Sequence, residues 1–369
     1  MTKGSGILIC FGLIWSGMTL LFDGFTIIPA VRQVLAQRFA TVEGVIHSSE
    51  VTHHEDSDGD THGVRITYSY SVAGREYTGD RYRYNAGSSS DCGWAIQAVD
   101  ANPPGKPVTV YYNPRNPAEA LLRPGLAGSD LFLLLFMTPF NVVMLGFWWL
   151  GWNRLRRKWH KPIAGGVKLR TELRMTRACL AEHSPLVAGI ATLALLAFLS
   201  IFVIGFGFGG FHPSLRVGEV TWGLVLAGGL FAGVWHWKNI LTGKYDLIFD
   251  EMNCGLRLPL TCGRKTVKTF PLTQIHGAFM DTIEKRDSEG AASYTYIPTL
   301  RLTEAEGPTE KLAEWQDAER AREFVAWLNE QLGQRTPQYL AQRAPAPAAP
   351  APIGRGVVNG KLPDPPKKI

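Results

Sequence analysis

Charge is scarce in this 369-residue chain: Asp, Glu, Lys and Arg make up 19% of it, against roughly 25% in ordinary globular domains. That scarcity, with an apolar share of 46%, excludes a disordered, collagen-like or coiled-coil chain. Cysteine is sparse as well, five residues with no C-x-x-C pair, so neither a disulfide framework nor a paired-thiolate metal site is expected. A Walker loop, an H-E-x-x-H helix and a G-x-S-x-G elbow are all missing. Their absence removes the commonest sequence marks of phosphate, metalloprotease and hydrolase chemistry.

What charge there is avoids four stretches, so the mean hydropathy of -0.01 averages over two kinds of chain. Leu131–Trp152 holds 22 residues and Leu186–Phe211 holds 26 without a charge. A span needs about 20 apolar residues to cross about 30 Å of hydrocarbon. Val220–Trp237 is shorter and glycine-rich, with Lys238 as an interfacial anchor, and Ser5–Phe22 is uncharged and followed by Asp23. Transmembrane helices are therefore predicted at 5–28, 131–152, 186–211 and 220–237. The first is read as an uncleaved anchor, because its apolar core exceeds the roughly 7 to 15 residues of a secretory signal and no small-x-small cleavage site follows.

Orientation follows from the connection 153–185, which carries nine Lys or Arg (Arg154, Arg156, Arg157, Lys158, Lys161, Lys168, Arg170, Arg174, Arg177) against Glu172 and Glu182. Short basic loops stay cytoplasmic. Both termini are then expected inside, with 29–130 and the 212–219 turn outside. This excess of seven positive charges already exceeds the net +6 of the whole chain. Attraction of Arg154–Arg177 to anionic lipid accounts for the basic surplus, at about 1 kcal/mol per residue near the surface. A nucleic-acid partner is not expected, because no stacking platform or recognition helix accompanies the charge.

Residues 41–125 read as a small antiparallel β domain. Val64, Ile66, Tyr68, Tyr70 and Val72 alternate with polar residues, the period-2 mark of a half-buried strand. Ala73-Gly74 turns the chain into a second strand over 76–84, and 94–99 reads as a short helix closed by Asn102-Pro-Pro-Gly105. A strand over 107–112 then enters the Asn113–Pro117 turn. With its preceding span, "ITYSYSVAGREYTG" and "GKPVTVYYNPRNPAEALLRPG", this segment resembles a family of bacterial membrane proteins known only as a domain of unknown function. The resemblance covers roughly 42–125 and implies an extracytoplasmic β domain in an inner-membrane protein. It implies no reaction and no catalytic residue.

Residues 245–333 read as a cytoplasmic α+β domain, with strands expected over 245–249, 254–258, 266–270 and 294–302. An amphipathic helix follows, capped by Asp317, with Ala321, Phe324, Val325, Leu328 and Leu332 on one face and Gly333 closing it. Several strands closed by a terminal helix resemble the split barrels of bacterial pleckstrin-like domains. From 334 to 369 the Pro- and Ala-rich sequence reads as a disordered tail.

Few residues offer chemistry. His47–His62, "HSSEVTHHEDSDGDTH", holds four histidines and five carboxylates, but without EF-hand register it reads as a solvated hairpin connection, with a weak metal site as the alternative. Cys10 lies in a span, Cys92 stands by itself outside, and Cys179, Cys254 and Cys262 are expected in the cytosol. Asp23 is expected at the outer interface, where its cost falls well below the about 2.5 to 3.5 kcal/mol of mid-bilayer. Gly205, Gly207, Gly209 and Gly210 lack βαβ context and, with Gly229 and Gly233, are expected to let the third and fourth spans pack closely. No catalytic, cofactor-binding or metal residue is assigned, and no cofactor is expected.

The sequence thus describes an α+β integral membrane protein, with an extracytoplasmic β domain and a cytoplasmic β-barrel-like domain closed by a C-terminal helix. Its expected role is non-enzymatic binding or scaffolding, with an unidentified protein partner. Two alternatives stand beside it: a membrane transport component, for which Asn141 and His236 are the notable polar groups in the spans, and a metal-dependent envelope enzyme built on His53 and His54.

Overall fold

A computed structural model describes residues 3–56, 59–85, 92–159, 163–172, 174–208, 212–286, 292–302 and 308–343. It divides into two units, the first taking the chain up to 161 and again from 183 to 242, the second 162–182 and 243 onward.

The first unit begins with α1 (Lys3–Leu35) and continues through β1 (Ala40–Asp56), β2 (Gly59–Val72), β3 (Arg75–Gly79), α2 (Gly93–Asp100), β4 (Pro107–Asn113) and β5 (Asn116–Leu121). The strands form one antiparallel sheet in the order β3-β2-β1-β4-β5. The alternation in β2 does what it predicts: Ile66, Tyr68 and Tyr70 are buried with Ile46, Val110 and Ala120. Each buried tyrosine hydroxyl donates to a carbonyl, Tyr68 to Arg81 at 3.1 Å and Tyr70 to Pro117 at 2.7 Å, which offsets the cost of burying a polar group. Ala73 and Gly74 join β2 to β3 with φ of 51° and 80°, the two left-handed positions of a tight hairpin turn.

Three more helices complete this unit: α3 (Gly128–Trp159), α4 (Pro185–Gly207) and α5 (Leu215–Leu241). Together with α1 they are, among the described residues, the four helices long and apolar enough to cross a membrane. Their outer faces expose large apolar side chains, among them Leu20, Phe25, Phe206 and Leu230. Trp149 and Trp152 of α3 and Trp235 and Trp237 of α5 are exposed just before Arg154 and Lys238, as in the aromatic belts of membrane interfaces. Serine caps start α4 and α5, with Val187 N donating to Ser184 Oγ at 3.3 Å and Val217 N to Ser214 Oγ at 3.4 Å.

Close packing of α4 on α5 runs through Gly229 and Gly233, as expected, but their partner is Gly189. A Cβ on Gly229 would stand 2.9 Å from Leu193 Cβ and 3.1 Å from the Gly189 carbonyl. Gly205 and Gly207 take no part, since nothing lies within 4 Å of where their Cβ atoms would be. Gly209 and Gly210 lie outside the described residues.

The second unit corrects the reading of 153–185 as a plain loop. Part of it forms β6 (Lys168–Glu172) and β7 (Met175–Cys179), which continue into β8 (Asp246–Asp250), β9 (Gly255–Arg257) and β10 (Thr269–Pro271). The five make one antiparallel meander in the order β10-β9-β8-β7-β6, with Cys179 opposite Asp246 although α4 and α5 intervene in the chain. Ala164, Val167, Ala178 and Leu180 enter the core of this unit. Lys168 and Arg170 are exposed on the edge strand β6, where charge discourages pairing with another chain.

A second sheet follows, β11 (Ile275–Arg286), β12 (Ala292–Leu302) and β13 (Thr309–Lys311). Across the core lies α6 (Ala318–Arg343), burying Ala321, Phe324, Leu328 and Leu332. Asp317 caps it, accepting from Glu319 N at 3.0 Å and Arg320 N at 3.1 Å. The helix does not stop at Gly333. Arg335 donates to Thr176 at 3.0 Å and lies 4.7 Å from the Phe249 ring centre, so the next turns stay helical to Arg343. The remainder of the Pro- and Ala-rich segment, 344–369, lies outside the described residues.

Candidate functional site

A cavity of about 420 Å³ opens in the first unit, between α2, the chain after β3, the first turn of α3 and the α4–α5 turn. Its frame is polar. Gln33, fully buried near the end of α1, donates to the Arg123 carbonyl and accepts from Tyr84 N at 3.0 Å. Asp130, in the first turn of α3, is buried and ion-paired with Arg83. It also accepts from Asn85 Nδ2 at 2.9 Å and from Ala127 N at 2.8 Å. A carboxylate at a helix N-terminus is favoured by the helix dipole, so Asp130 ties the β domain to α3 while remaining charge-compensated.

The other wall is built from close approaches. Trp94 of α2 stacks on His212 with ring centres 4.6 Å apart and planes 4° from parallel. A Cβ on Gly128 would stand 1.9 Å from the Pro213 carbonyl, so only glycine admits that turn against α3. Trp94 Nε1 and Arg83 Nε are buried without a hydrogen-bond partner among the described residues. Unpaired donors of this kind cost about 1 to 3 kcal/mol each. None of these residues was singled out by the sequence, because the cavity forms between segments remote in the chain.

Beside the cavity, Glu119 accepts from Tyr84 Oη at 2.5 Å and from Asn113 Nδ2 at 2.8 Å. Those two hydrogen bonds, Tyr84's first, hold the Glu119 carboxyl below the usual carboxylate range. Burial and the bond to Glu119 push the Tyr84 phenol up to about 12.

The sequence-selected residues are scattered. α1 continues twelve residues beyond Asp23 to Leu35. Asp23 is buried and accepts from Asn141 Nδ2 of α3 at 2.9 Å. Ten residues separate Asp23 from Gln33, about 15 Å along a helix. His236 lies 2.9 Å from the His183 carbonyl. No disulfide joins any of the five cysteines, and Cys10, Cys92 and Cys262 are exposed; Ser88 to Ser90, next to Cys92, lie outside the described residues. His47 falls at a register shift of β1, and His53 pairs across the hairpin with His62. Among the described residues no three His, Cys, Asp or Glu side chains converge.

Residues 42–127 match the family model of a domain of unknown function, DUF3592. The match takes in the sheet except for the first two residues of β1 and ends one residue before α3, so it includes Arg83 and Trp94 but not Asp130 or His212. No curated protein and no solved structure matches the chain.

Proposed function

We propose that this chain is a non-enzymatic binding or scaffold protein of a bacterial inner membrane, with the DUF3592 domain outside and the second unit in the cytoplasm. The observation that carries the binding role is the 420 Å³ cavity with the polar side chains Asn85, Gln97, Arg123 and Ser129 in its lining. The orientation rests on the basic residues between Arg154 and Arg177, which also favour anionic lipid. Lys3 and the second unit fall on the same side. In that unit, two sheets with a terminal helix packed across the core support a pleckstrin-like split barrel, a module suited to docking a cytoplasmic protein.

Two measurements test the reading. Native mass spectrometry of the full-length protein, released gently from membranes, is expected to show a bound small molecule or lipid. That adduct disappears in Ala101→Trp, which fills the cavity from α2's end. A wild-type protein without any adduct, or an adduct indifferent to the filling, removes the cavity's role. For the orientation, a membrane-impermeant maleimide labels the exposed Cys92 in intact cells, while a cysteine placed at Arg170 reacts only after permeabilisation. The opposite pattern reverses the compartments.

A second reading, a transport component, draws on Asp23 and Asn141, because ionisable groups inside spans commonly mark ion or proton paths. Proton or solute flux into liposomes that is lost in Asp23→Asn would favour it over the scaffold.

A further inference from the structure

The β domain carries an arm that its sheet does not support. β4 pairs with β1 only over Ala40–Val45, and β3 pairs with β2 only over Tyr68–Val72. From Ser48 and Thr67 outward, β1 and β2 pair with each other alone as far as Asp56 and Gly59. At about 3.4 Å per residue this two-stranded ribbon reaches about 27 Å. Ile66 and Gly63 are buried, so the base of the ribbon is packed, but its outer part is two strands without further cover in the sheet, which is marginal in water and calls for a crosslink or for favourable cross-strand pairs.

Midway along the arm His53 stands opposite His62. Their rings meet edge to face, with centres 4.7 Å apart, and the two Nδ1 atoms are 2.9 Å apart. Without a metal, one ring donates Nδ1–H to the lone pair of the other. On a tetrahedral zinc with Zn–N bonds of about 2.0–2.1 Å, two nitrogens stand about 3.3 Å apart. The difference is a few tenths of an ångström, less than a change of rotamer. A divalent ion replaces the shared proton without rebuilding the arm.

His54 is opposite Thr61. The adjacent histidines His53 and His54 are therefore not a ligand pair, and the partner of His53 lies nine residues away.

We propose that His53 and His62 are the core of a zinc-class divalent site that staples the projecting arm of the β domain. A pair of imidazole nitrogens favours Zn²⁺ over Mg²⁺, which prefers oxygen alone and keeps its waters.

The test uses full-length protein in detergent, carrying an affinity tag without histidines and stripped of metal. Calorimetric titration with Zn²⁺ is expected to show one equivalent bound per chain, and Mg²⁺ none. Loss of even an outer-shell partner costs about 10- to 100-fold in metal affinity, so His53→Ala and His62→Ala each lower it by at least about a hundredfold, while His54→Ala changes it little. Zn²⁺ is also expected to slow limited proteolysis of the arm in wild type and in His54→Ala, but not in the His53→Ala/His62→Ala double variant. Far-ultraviolet circular dichroism of the metal-free proteins establishes that the variants remain folded. Wild type without stoichiometric binding, or a folded double variant that binds as well as wild type, overturns the site. Binding without protection overturns the staple.

Discussion

Asn141 of α3 donates through Nδ2 to Asp23 Oδ1 of α1 at 2.9 Å, and the same nitrogen lies 3.2 Å from the Met137 carbonyl of its own helix. Two residues 118 apart in sequence thus join α1 to α3 by a polar contact, in a seam that also stacks rings such as Phe11 against Phe147 and Trp15 against Phe140. Trp148 donates to Ser16 at 3.1 Å and Trp15 Nε1 to the Phe140 carbonyl at 3.3 Å across the same seam. Asn141→Ala leaves the buried carboxyl without this donor, and a loss of about 0.5 to 2 kcal/mol is expected. Asp23→Asn keeps an acceptor in place and loses less. Steric trapping or denaturant unfolding in micelles measures both, and an Asn141→Ala variant as stable as wild type would show that the pair contributes nothing.

The glycines of α4 and α5 give a matched pair of outcomes. Gly229→Val drives a side chain into Leu193 and the Gly189 carbonyl, and overpacking of this kind costs about 1 to 3 kcal/mol. Gly205→Val, at a position with open space around it, is expected to be close to neutral. Thermal unfolding of the two variants side by side decides the matter: a Gly205 variant as damaged as the Gly229 variant contradicts this account of the helix pair.

These cases also mark what the sequence could and could not reveal. The strand through Ile66, Tyr68 and Tyr70 was legible because one face is buried and the other wet, so period and burial coincide. β6 and β7 were hidden: β6 is an exposed edge, and β7 buries only Thr176 and Ala178, so charge count overrode any apolar alternation. The contact between Asp23 and Asn141 could not be read either, because the two residues are 118 apart in sequence and meet only where α1 packs on α3. The cavity was invisible for a different reason, since Arg83, Trp94, Asp130 and His212 meet only through tertiary structure. His62 escaped notice as the partner of His53 because register, not spacing, decides which histidines face each other.

At the β2–β3 turn a non-glycine residue occupies a left-handed position, Ala73 with φ 51°. Such a conformation costs an L-residue roughly 1 to 2 kcal/mol, and Asn tolerates it better. Ala73→Asn, which creates an Asn-Gly turn, is therefore expected to stabilise the β domain by about 0.5 to 1 kcal/mol. A melting temperature at or below that of wild type would count against the turn geometry.

Tyr84 and Glu119 make the stability of the β domain depend on pH at both extremes. Glu119 is held below its ordinary range by the hydrogen bond from Tyr84 and then by that from Asn113. Its folded pKa is thus lower than in the unfolded chain, where it is about 4.3. By linkage, its contribution is complete above that value and is lost as pH falls through the folded pKa. Tyr84 runs the other way. Burial first, and then the bond to Glu119, raise it to about 12, against about 10 when unfolded. The neutral phenol therefore stabilises fully below pH of about 10, and this contribution fades as pH climbs through the folded pKa. Other groups titrate in both ranges, so the informative quantity is the difference between wild type and variant in thermal unfolding across pH. Tyr84→Phe is expected to remove the alkaline difference and to weaken the acid one, because Glu119 loses its principal donor. Glu119→Gln keeps an acceptor for Tyr84 but carries no charge to protonate, so its acid limb flattens. Should the acid limb of Glu119→Gln run parallel to wild type, Glu119 is ionising as it does in the unfolded chain, and the Tyr84–Glu119–Asn113 cluster does not hold the carboxylate.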